Sequence, residues 1–313
     1  MSRKARENEI HLSRVYDAPV HVVWDAWTDP AQAAQWWGPR GFTLTTHSKE
    51  LRPGGIWDYT MHGPDGTDYP NKALYHEVVE HRKLMYDHGA TDERKPLFRV
   101  TVLFEDLGDR TGMEMTMAFP TPEEAARSRR FIKEAGGTAT WDRLAEYLKQ
   151  EQSHRQVFVI NRSFSTSVER LFQMWHDSAE FSRWLGPADS SMTIEDDVGE
   201  GKTIFYRMSQ ASGPLMHGKF NYSRIQAPHL MEYTQWFCDE EGKLTKHPEV
   251  PLWPDTILTR VQFTSEAEGS RATVTWEPYG EASPEEIQAF VNLRAEVHQG
   301  WTEAFDKLEA CLQ

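Results

Sequence analysis

The sequence predicts an α+β protein of two tandem domains, each with one strand, two short helices, an antiparallel meander and a long C-terminal helix. Two observations lead to this prediction. First, one stretch occurs twice without a gap, at residues 14–39 and 162–187. Second, each copy is followed by short segments in which apolar and polar residues alternate, and then by a segment with helical periodicity. We therefore expect the same fold twice in one chain.

The repeated stretch is defined by rare residues and by turn residues. The matched pairs are Trp27 with Trp175, Trp36 with Trp184, and the Gly-Pro dipeptides at 38–39 and 186–187. Because tryptophan is uncommon, two ungapped tryptophan matches indicate a tandem duplication. The domains are predicted at residues 8–150 and 156–313. The linker between them is short and polar, which leads us to expect that the two domains pack on each other.

Charge and cysteine content exclude several classes of function. The 313 residues carry 34 basic and 48 acidic side chains, a formal net charge of -14. This balance disfavours nucleic acid and anionic membrane surfaces as partners, since both need clustered lysine and arginine. Two cysteines provide neither a disulfide framework nor a cysteine metal site. The chain has no bilayer-length apolar run and no signal peptide, so we expect a cytoplasmic protein of undetermined oligomeric state.

The first half begins with a strand at residues 10–16, after which Pro19 opens a short helix and Asp29 caps a second one. Six further strands are predicted from alternating segments bounded by turn residues. They are residues 42–50, 56–61, 73–79, 83–88, 98–104 and 113–119. Helical periodicity starts at Pro122, and the Gly136-Gly137 pair predicts a kink or close packing in the last helix.

The second half repeats this order. Thr166 and Glu169 have the spacing of a capping box before its first helix. Aligned pairs include Tyr59 with Tyr206, Met61 with Met208 and Trp141 with Trp301. The main difference is an insertion at residues 239–254, and loops of this kind are where function often diverges from a scaffold.

Several motifs of the first half resemble a known family. They are Ala18-Pro19, Val23-Trp24, Trp36-Trp37-Gly38-Pro39, Gly54-Gly55, Asp65-Gly66, residues 81–84 and Thr140-Trp141. They look like the SRPBCC (START/Bet v1-like) superfamily, and within it bacterial proteins similar to the C-terminal domain of the Hsp90 ATPase activator. The resemblance covers nearly the whole chain, twice. It implies two helix-grip domains, each a curved sheet around the C-terminal helix with an apolar cavity between them. It does not imply co-chaperone activity.

The second copy departs from the family pattern at two of these positions. Ser167 stands where the first copy has Pro19, and Leu185 stands where it has Trp37. We therefore expect the second cavity to differ in shape or ligand. The loop at 247–254 is interpreted either as a lid on that cavity or as a proline-stiffened surface loop.

Candidate cavity residues are aromatic and apolar side chains with a few polar ones to orient a ligand. In the first domain they are Trp36, Trp57, Tyr59, Met61, His76 and Trp141. In the second domain they are Trp184, Tyr206, Met208, His217, Trp276 and Trp301. A purely structural role in the core is the alternative interpretation of each one.

The sequence has no recognisable catalytic or metal-binding constellation. HExxH, CxxC, a Gly-rich phosphate loop and a GxSxG elbow are all missing. We therefore expect no metal, no cofactor and no catalytic residue. The leading hypothesis is a binding protein for a small apolar or aromatic molecule, in a setting such as stress response or detoxification. The alternatives are a cyclase/aromatase-type enzyme, in which a tyrosine or histidine assists proton transfer, and an Hsp90-activator-like protein-interaction module.

Overall fold

The structure is a computed structural model that describes residues 6–91, 94–134, 139–210, 215–266 and 268–313. The chain divides into two compact units, Met1–His154 and Arg155–Gln313. Among the described residues, no helix is long and apolar enough to cross a membrane.

Within its described residues, the first domain has seven strands and four helices. The strands are β1 (Glu9–Tyr16), β2 (Thr43–Lys49), β3 (Ile56–His62), β4 (Asp68–Val79), β5 (Lys83–Ala90), β6 (Phe98–Asp106) and β7 (Thr111–Ala118). The helices are α1 (Val20–Thr28), α2 (Pro30–Trp36), α3 (Pro122–Glu134) and α4 (Ala139–Ser153).

The second domain repeats the same order of elements in the part of it that is described. Its strands are β8 (Phe158–Phe164), β9 (Ser190–Ile194), β10 (Thr203–Gln210), β11 (Met216–Gln226), β12 (Leu230–Cys238), β13 (Ile257–Glu266) and β14 (Gly269–Pro278). Its helices are α5 (Val168–His176), α6 (Ser178–Trp184), α7 (Pro284–Asn292) and α8 (Arg294–Leu312).

Each domain contains one antiparallel seven-stranded sheet. The strand order is β1-β7-β6-β5-β4-β3-β2 in the first and β8-β14-β13-β12-β11-β10-β9 in the second. Strands that follow one another from β2 to β7 pair as neighbours, and β1 then pairs with β7 from Glu9 opposite Ala118 to Tyr16 opposite Thr111. The predicted α+β fold of two tandem domains, each with two short helices after the first strand, is confirmed.

Side-chain caps mark the start of three of the four short helices, and α1, which follows Pro19, has none. Asp29 accepts a hydrogen bond from the Gln32 amide (2.9 Å) at the start of α2, as predicted. Asp177 caps α6 in the same way. The predicted capping box at Thr166 was wrong by one residue, because Ser167 is the N-cap of α5 and accepts from the Arg170 amide. Each aspartate or serine oxygen satisfies an amide that has no partner inside the helix.

The described part of the C-terminal helical segment contains two helices in each domain. In the second domain α7 ends at Asn292, and α8 starts at Arg294 after the non-helical Leu293. A capping box formed by Ser283 and Glu286 starts α7. In the first domain, the Gly136-Gly137 pair predicted to kink the segment lies outside the described residues. The last helix, α4 or α8, contributes buried side chains to the core of its own domain.

A basic side chain holds this last helix to the turn after the second short helix. Arg143 in α4 and Lys307 in α8 both donate to main-chain carbonyl oxygens of that turn. Nη1 of Arg143 donates to the carbonyl oxygens of Gly38 (3.0 Å), Pro39 (2.8 Å) and Phe42 (3.3 Å). Nζ of Lys307 donates to those of Gly186 (3.4 Å), Pro187 (3.2 Å) and Ser190 (3.3 Å). The repeated Gly-Pro pairs therefore present acceptors to the helix. The two basic residues occupy equivalent positions.

This equivalence corrects the alignment of the last helices. Trp141 lies two residues before Arg143, and Phe305 lies two residues before Lys307. Trp141 stacks on Trp27 with ring centroids 5.2 Å apart, and Phe305 lies 6.4 Å from Trp175, the counterpart of Trp27. Phe305 is therefore the equivalent of Trp141, and the predicted match of Trp301 with Trp141 was wrong.

Candidate functional site

The second domain contains a cavity of about 370 Å³. It lies among strands β9 to β14, the N-terminal half of α8 and the loop between β12 and β13. Most lining residues are aromatic or aliphatic, so the walls favour an apolar molecule. The aromatic ones are Tyr206, Phe220, Tyr233, Trp236, Phe237, Trp253, Trp276 and Trp301.

Three of the indole rings form one wall of the cavity. Trp276 on β14 meets Trp253 of the loop edge to face, with ring centroids 6.3 Å apart. It meets Trp301 on α8 in the same manner at 5.7 Å. Edge-to-face packing holds each ring in one orientation, so this wall presents a defined surface.

The inserted loop covers part of the cavity. His247, Val250, Trp253, Pro254 and Asp255 all line it. The loop is fixed by its own contacts, because the imidazole Nδ1 of His247 accepts the amides of Glu249 and Val250, each at 3.1 Å. Lys246 further ties the loop to Asp255, with Nζ 2.7 Å from the carboxylate. Of the two interpretations of this loop, the geometry supports the lid.

Polar groups are few and lie at distinct places. Tyr206 is on β10 and Gln235 is on β12, with β11 between these two strands. Asp255 lies at the end of the loop, and Glu296 lies at the start of α8. Burial raises the pKa of the Tyr206 phenol above its ordinary value, so it keeps its proton at neutral pH. Burial also lowers the pKa of His247, which is therefore neutral at pH 7.

Gly218 on β11 allows Tyr206 to lie flat against the sheet. The two residues are directly opposite each other in the β10–β11 pair. A Cβ atom on Gly218 would lie 2.3 Å from Cζ of Tyr206. The ring instead stacks on Phe220, with centroids 4.6 Å apart. The absence of a side chain at Gly218 thus keeps the phenol ring out of the cavity volume.

The equivalent part of the first domain is filled by packed aromatic rings. Trp37, which ends α2 where Leu185 ends α6, is 7% exposed. Its ring lies within 6.5 Å of five other aromatic rings. They are Trp27, Trp36, Trp57, Tyr59 and Trp141. The indole therefore occupies space that the smaller Leu185 leaves open in the second domain.

The side chains of His88 and Lys49 lie against this packed cluster. The Tyr59 hydroxyl is 3.4 Å from Nδ1 of His88, whose pKa burial lowers to about 4. Both groups are neutral at pH 7, since burial also raises the pKa of Tyr59. Lys49 has its Nζ 3.9 Å from the centre of the Trp57 ring, and burial lowers its pKa to about 7. These contacts are consistent with a packed core.

The sequence profile of one family, described as Activator of Hsp90 ATPase homolog 1-like protein, matches residues 17–149 and again 165–313. The chain belongs to this family. The two matches account for both domains of the structure. None of the curated proteins matches the chain.

Solved structures similar to this chain include single-domain and two-domain proteins. Protein NE0264 from Nitrosomonas europaea has 24% identity and a TM-score of 0.44, with 48% of this chain and 99% of that chain covered. A protein from Arthrobacter aurescens has 26% identity and a TM-score of 0.43, covering 48% and 90%. The di-domain ARO/CYC BexL from the BE-7585A biosynthetic pathway has 12% identity and a TM-score of 0.39, covering 96% and 97%.

Four of the predicted residues come together in the cavity of the second Hsp90-activator-like domain. They are Tyr206, Met208, Trp276 and Trp301. Trp184 is not among the lining residues, because it is fully buried and its indole donates to the Met174 carbonyl (2.9 Å). His217 is not among them either, and its ring stacks on Phe205, whose neighbour Tyr206 faces the cavity.

In the first domain the predicted residues separate into two groups. Trp36, Trp57, Tyr59, Met61 and Trp141 belong to or pack on the hydrophobic core. His76 does not join them, because its Nε2 pairs with Asp87 (2.8 Å) beside Arg99. It is adjacent in β4 to the buried Tyr75, and successive strand residues face opposite sides. The prediction that His76 lies in the cavity with Tyr59 was therefore wrong.

Sequence reasoning missed several lining residues. They include Leu185, Met192, Phe220, Gln235, Trp236, Trp253 and Glu296. Phe220 carried a usable signal, since it lies two residues before the aromatic Tyr222 in an alternating strand and therefore on the same face. Trp253 carried none beyond its place in the insertion. Among the described residues, no three His, Cys, Asp or Glu side chains are grouped as a metal ion would require.

Proposed function

We propose that the second domain binds a small apolar molecule with an aromatic part in its cavity, and that the first domain is a packed scaffold. The observation that carries this proposal is the substitution of Leu185 for Trp37 at equivalent helix ends. The leucine borders a cavity of about 370 Å³, whereas the indole is surrounded by rings. A cavity of this size, mostly apolar with a few polar groups, is typical of small-molecule sites.

The lid supports the same proposal. Residues of the insertion contribute Trp253 to the indole wall and His247 to the rim. The loop is held shut by hydrogen bonds to His247 and by the ion pair of Lys246 with Asp255. A ligand would then enter by local opening of this loop, which breaks the contacts of Trp253 with Trp276 and of Lys246 with Glu286.

The experiment is native mass spectrometry of freshly purified protein, followed by organic extraction of any bound molecule. We expect at most one ligand per chain, and titration of the extracted compound should give binding that Leu185→Trp removes. The matched control Leu185→Met keeps an apolar side chain of similar volume and should retain binding. An empty protein that also binds nothing in a broad screen of aromatic compounds would reject the proposal.

An enzyme of the cyclase/aromatase type is the second candidate. The observation that favours it is the Tyr206 phenol in the cavity wall, which burial keeps protonated at neutral pH and which can donate a hydrogen bond to a bound molecule. If a reaction is found, Tyr206→Phe should lower turnover while leaving ligand affinity within about tenfold, the value of one lost hydrogen bond. Unchanged turnover in Tyr206→Phe would remove this residue as the acid.

A further inference from the structure

The charges at the mouth of the cavity in the second domain are strongly one-sided. Asp255 and Glu296 are lining residues, and none of the described lining residues is lysine or arginine. The imidazole of His247 lines the cavity too, but it accepts two amide hydrogen bonds and is neutral at pH 7. The formal charges of the lining are therefore all negative.

The cations near these carboxylates are also engaged by other groups. Lys246 is shared, because its Nζ pairs with Asp255 (2.7 Å) and also with Glu286 of α7. One ammonium thus faces two carboxylates. The guanidinium of Arg294, two residues before Glu296, donates to Oε1 of Gln156 (3.0 Å) and to the Val157 carbonyl. The exposed Glu296 remains as an additional negative charge at the rim.

The carboxylates and the indole wall line the same cavity. Asp255 follows Trp253 by two residues in the lid, while Glu296 and Trp301 lie on the same helix and both line the cavity. The faces of tryptophan rings attract cations, and the attraction grows when the cation is desolvated. Aromatic faces next to carboxylates are the arrangement that recognises an ammonium group with an apolar body.

On the basis of the proposed binding function, we infer that the ligand carries a positively charged nitrogen, held at the mouth between Glu296 and the indole wall. Its apolar or aromatic part extends towards Tyr206 and Phe220. A carboxylate-bearing ligand of the same size is disfavoured, because its charge would face the carboxylates of Asp255 and Glu296. The ligand class is an aromatic or alkyl amine or quaternary ammonium compound.

The test uses two probes of the same shape, (2-naphthylmethyl)trimethylammonium and 2-neopentylnaphthalene, in which a carbon replaces the charged nitrogen. Affinities for the full-length protein are measured by calorimetry at low and at moderate salt. We expect the cation to bind at least about tenfold more tightly than the neutral probe, with the difference shrinking as salt is added. Equal affinities, or tighter binding of the neutral probe, would overturn the inference while leaving the binding function intact.

Two variants locate the charge effect. Glu296→Gln should reduce the preference for the cation several-fold without changing the affinity for the neutral probe. Glu249→Gln removes a lid carboxylate that does not line the cavity and is the matched control. It should change neither the preference for the cation nor the affinity for the neutral probe. Trp253→Leu should weaken the cation more than the neutral probe, because it keeps apolar contact but removes a ring face. A preference that survives Glu296→Gln and Trp253→Leu would contradict the inference. Binding of neither probe would overturn the inference too, and it would overturn the binding function as well if the broad screen of aromatic compounds also found no ligand.

Discussion

Trp37 and Leu185 end equivalent helices of the two domains and have opposite consequences for the space beside them. The Trp37 ring lies 4.9 Å from Trp57 and 5.1 Å from Trp36, within a continuous cluster of rings. Leu185 lies beside a cavity that reaches Tyr206 and Trp301. The duplicated domains thus differ at a position where side-chain volume affects the space beside the helix end.

Leu185→Trp is expected to fill the cavity of the second domain. The larger side chain enters existing space, so the loss of stability should be small compared with the 1–3 kcal/mol, roughly, of overpacking a filled core. Binding of apolar probes, followed by tryptophan fluorescence or calorimetry, should disappear. Retention of full affinity in Leu185→Trp with normal folding would show that the bound molecule lies elsewhere.

Trp37→Leu is the reciprocal change, and it should destabilise the first domain by about 2–4 kcal/mol because a buried ring is replaced by a smaller side chain. Hydrogen exchange followed peptide by peptide reads the two domains separately. We expect faster exchange in strands β3 and β4 with unchanged exchange in β10 and β11. A small aromatic compound such as indole should restore part of the lost protection, since ligands that bind the folded state stabilise it. No destabilisation of β3 and β4 would contradict the assignment of Trp37 to a packed core.

The fold was largely predictable because its signals are local. Alternation in segments such as β3 and helical periodicity after the meander determine the elements, and the ungapped tryptophan repeat determines that there are two domains. The same alternation could have placed His76 and His217 away from the cavity. His76 follows the inward-facing Tyr75, and His217 lies opposite Arg207 rather than Tyr206.

The cavity was less predictable because it depends on contacts between distant segments. The insertion changes the numbering offset between equivalent residues of the two domains. Matching Trp141 with Trp301 because both are tryptophan was therefore misleading. The positions that donate to the Gly-Pro turn, Arg143 and Lys307, identify the correct register. Whether Trp253 faces the cavity or solvent depends on the loop contacts of His247 and Lys246, which have no periodic pattern in sequence.

Arg143→Met should loosen the last helix of the first domain. The variant leaves the carbonyl groups of Gly38, Pro39 and Phe42 without this donor, at a cost of about 1–3 kcal/mol for each such group that stays buried. Arg143→Lys is the matched control, because Lys307 performs the same role in the second domain. We expect chemical denaturation to show a clear loss of unfolding free energy for Arg143→Met and a smaller loss for Arg143→Lys. Equal losses of stability would show that an ammonium donor at this position contributes nothing to holding the helix.

His88 should make the first domain less stable in acid. Burial is the main cause that lowers its pKa from 6.5 to about 4, and the positive charge of Arg94 lowers the pKa further. The unfolded chain therefore binds this proton more readily than the folded domain does. The stabilisation that the neutral His88 gives to the folded domain is complete above pH 6.5 and is lost as the pH falls towards 4.

The variant His88→Gln tests this pH dependence, because glutamine is the residue at the equivalent position, Gln235. We expect the difference in unfolding free energy between pH 7 and pH 4.5 to be smaller in the variant than in the wild type. His11→Gln, a change at a histidine of the first strand near Thr116, serves as the control for loss of a histidine in general. If both variants respond to pH like the wild type, His88 does not titrate between these values.

Gly218→Ala should close the second cavity by moving a ring and not by adding bulk. The new methyl group would lie 2.3 Å from Cζ of Tyr206, so the phenol must swing off Phe220 towards the cavity. Affinity for an apolar probe should fall at least about tenfold. In a Tyr206→Leu background the clash is relieved, and Gly218→Ala should then have little effect, giving a strongly non-additive double-mutant cycle. Additive effects would mean that Gly218→Ala acts on the backbone of β11, and the Tyr206 ring would lose its role in shaping the cavity.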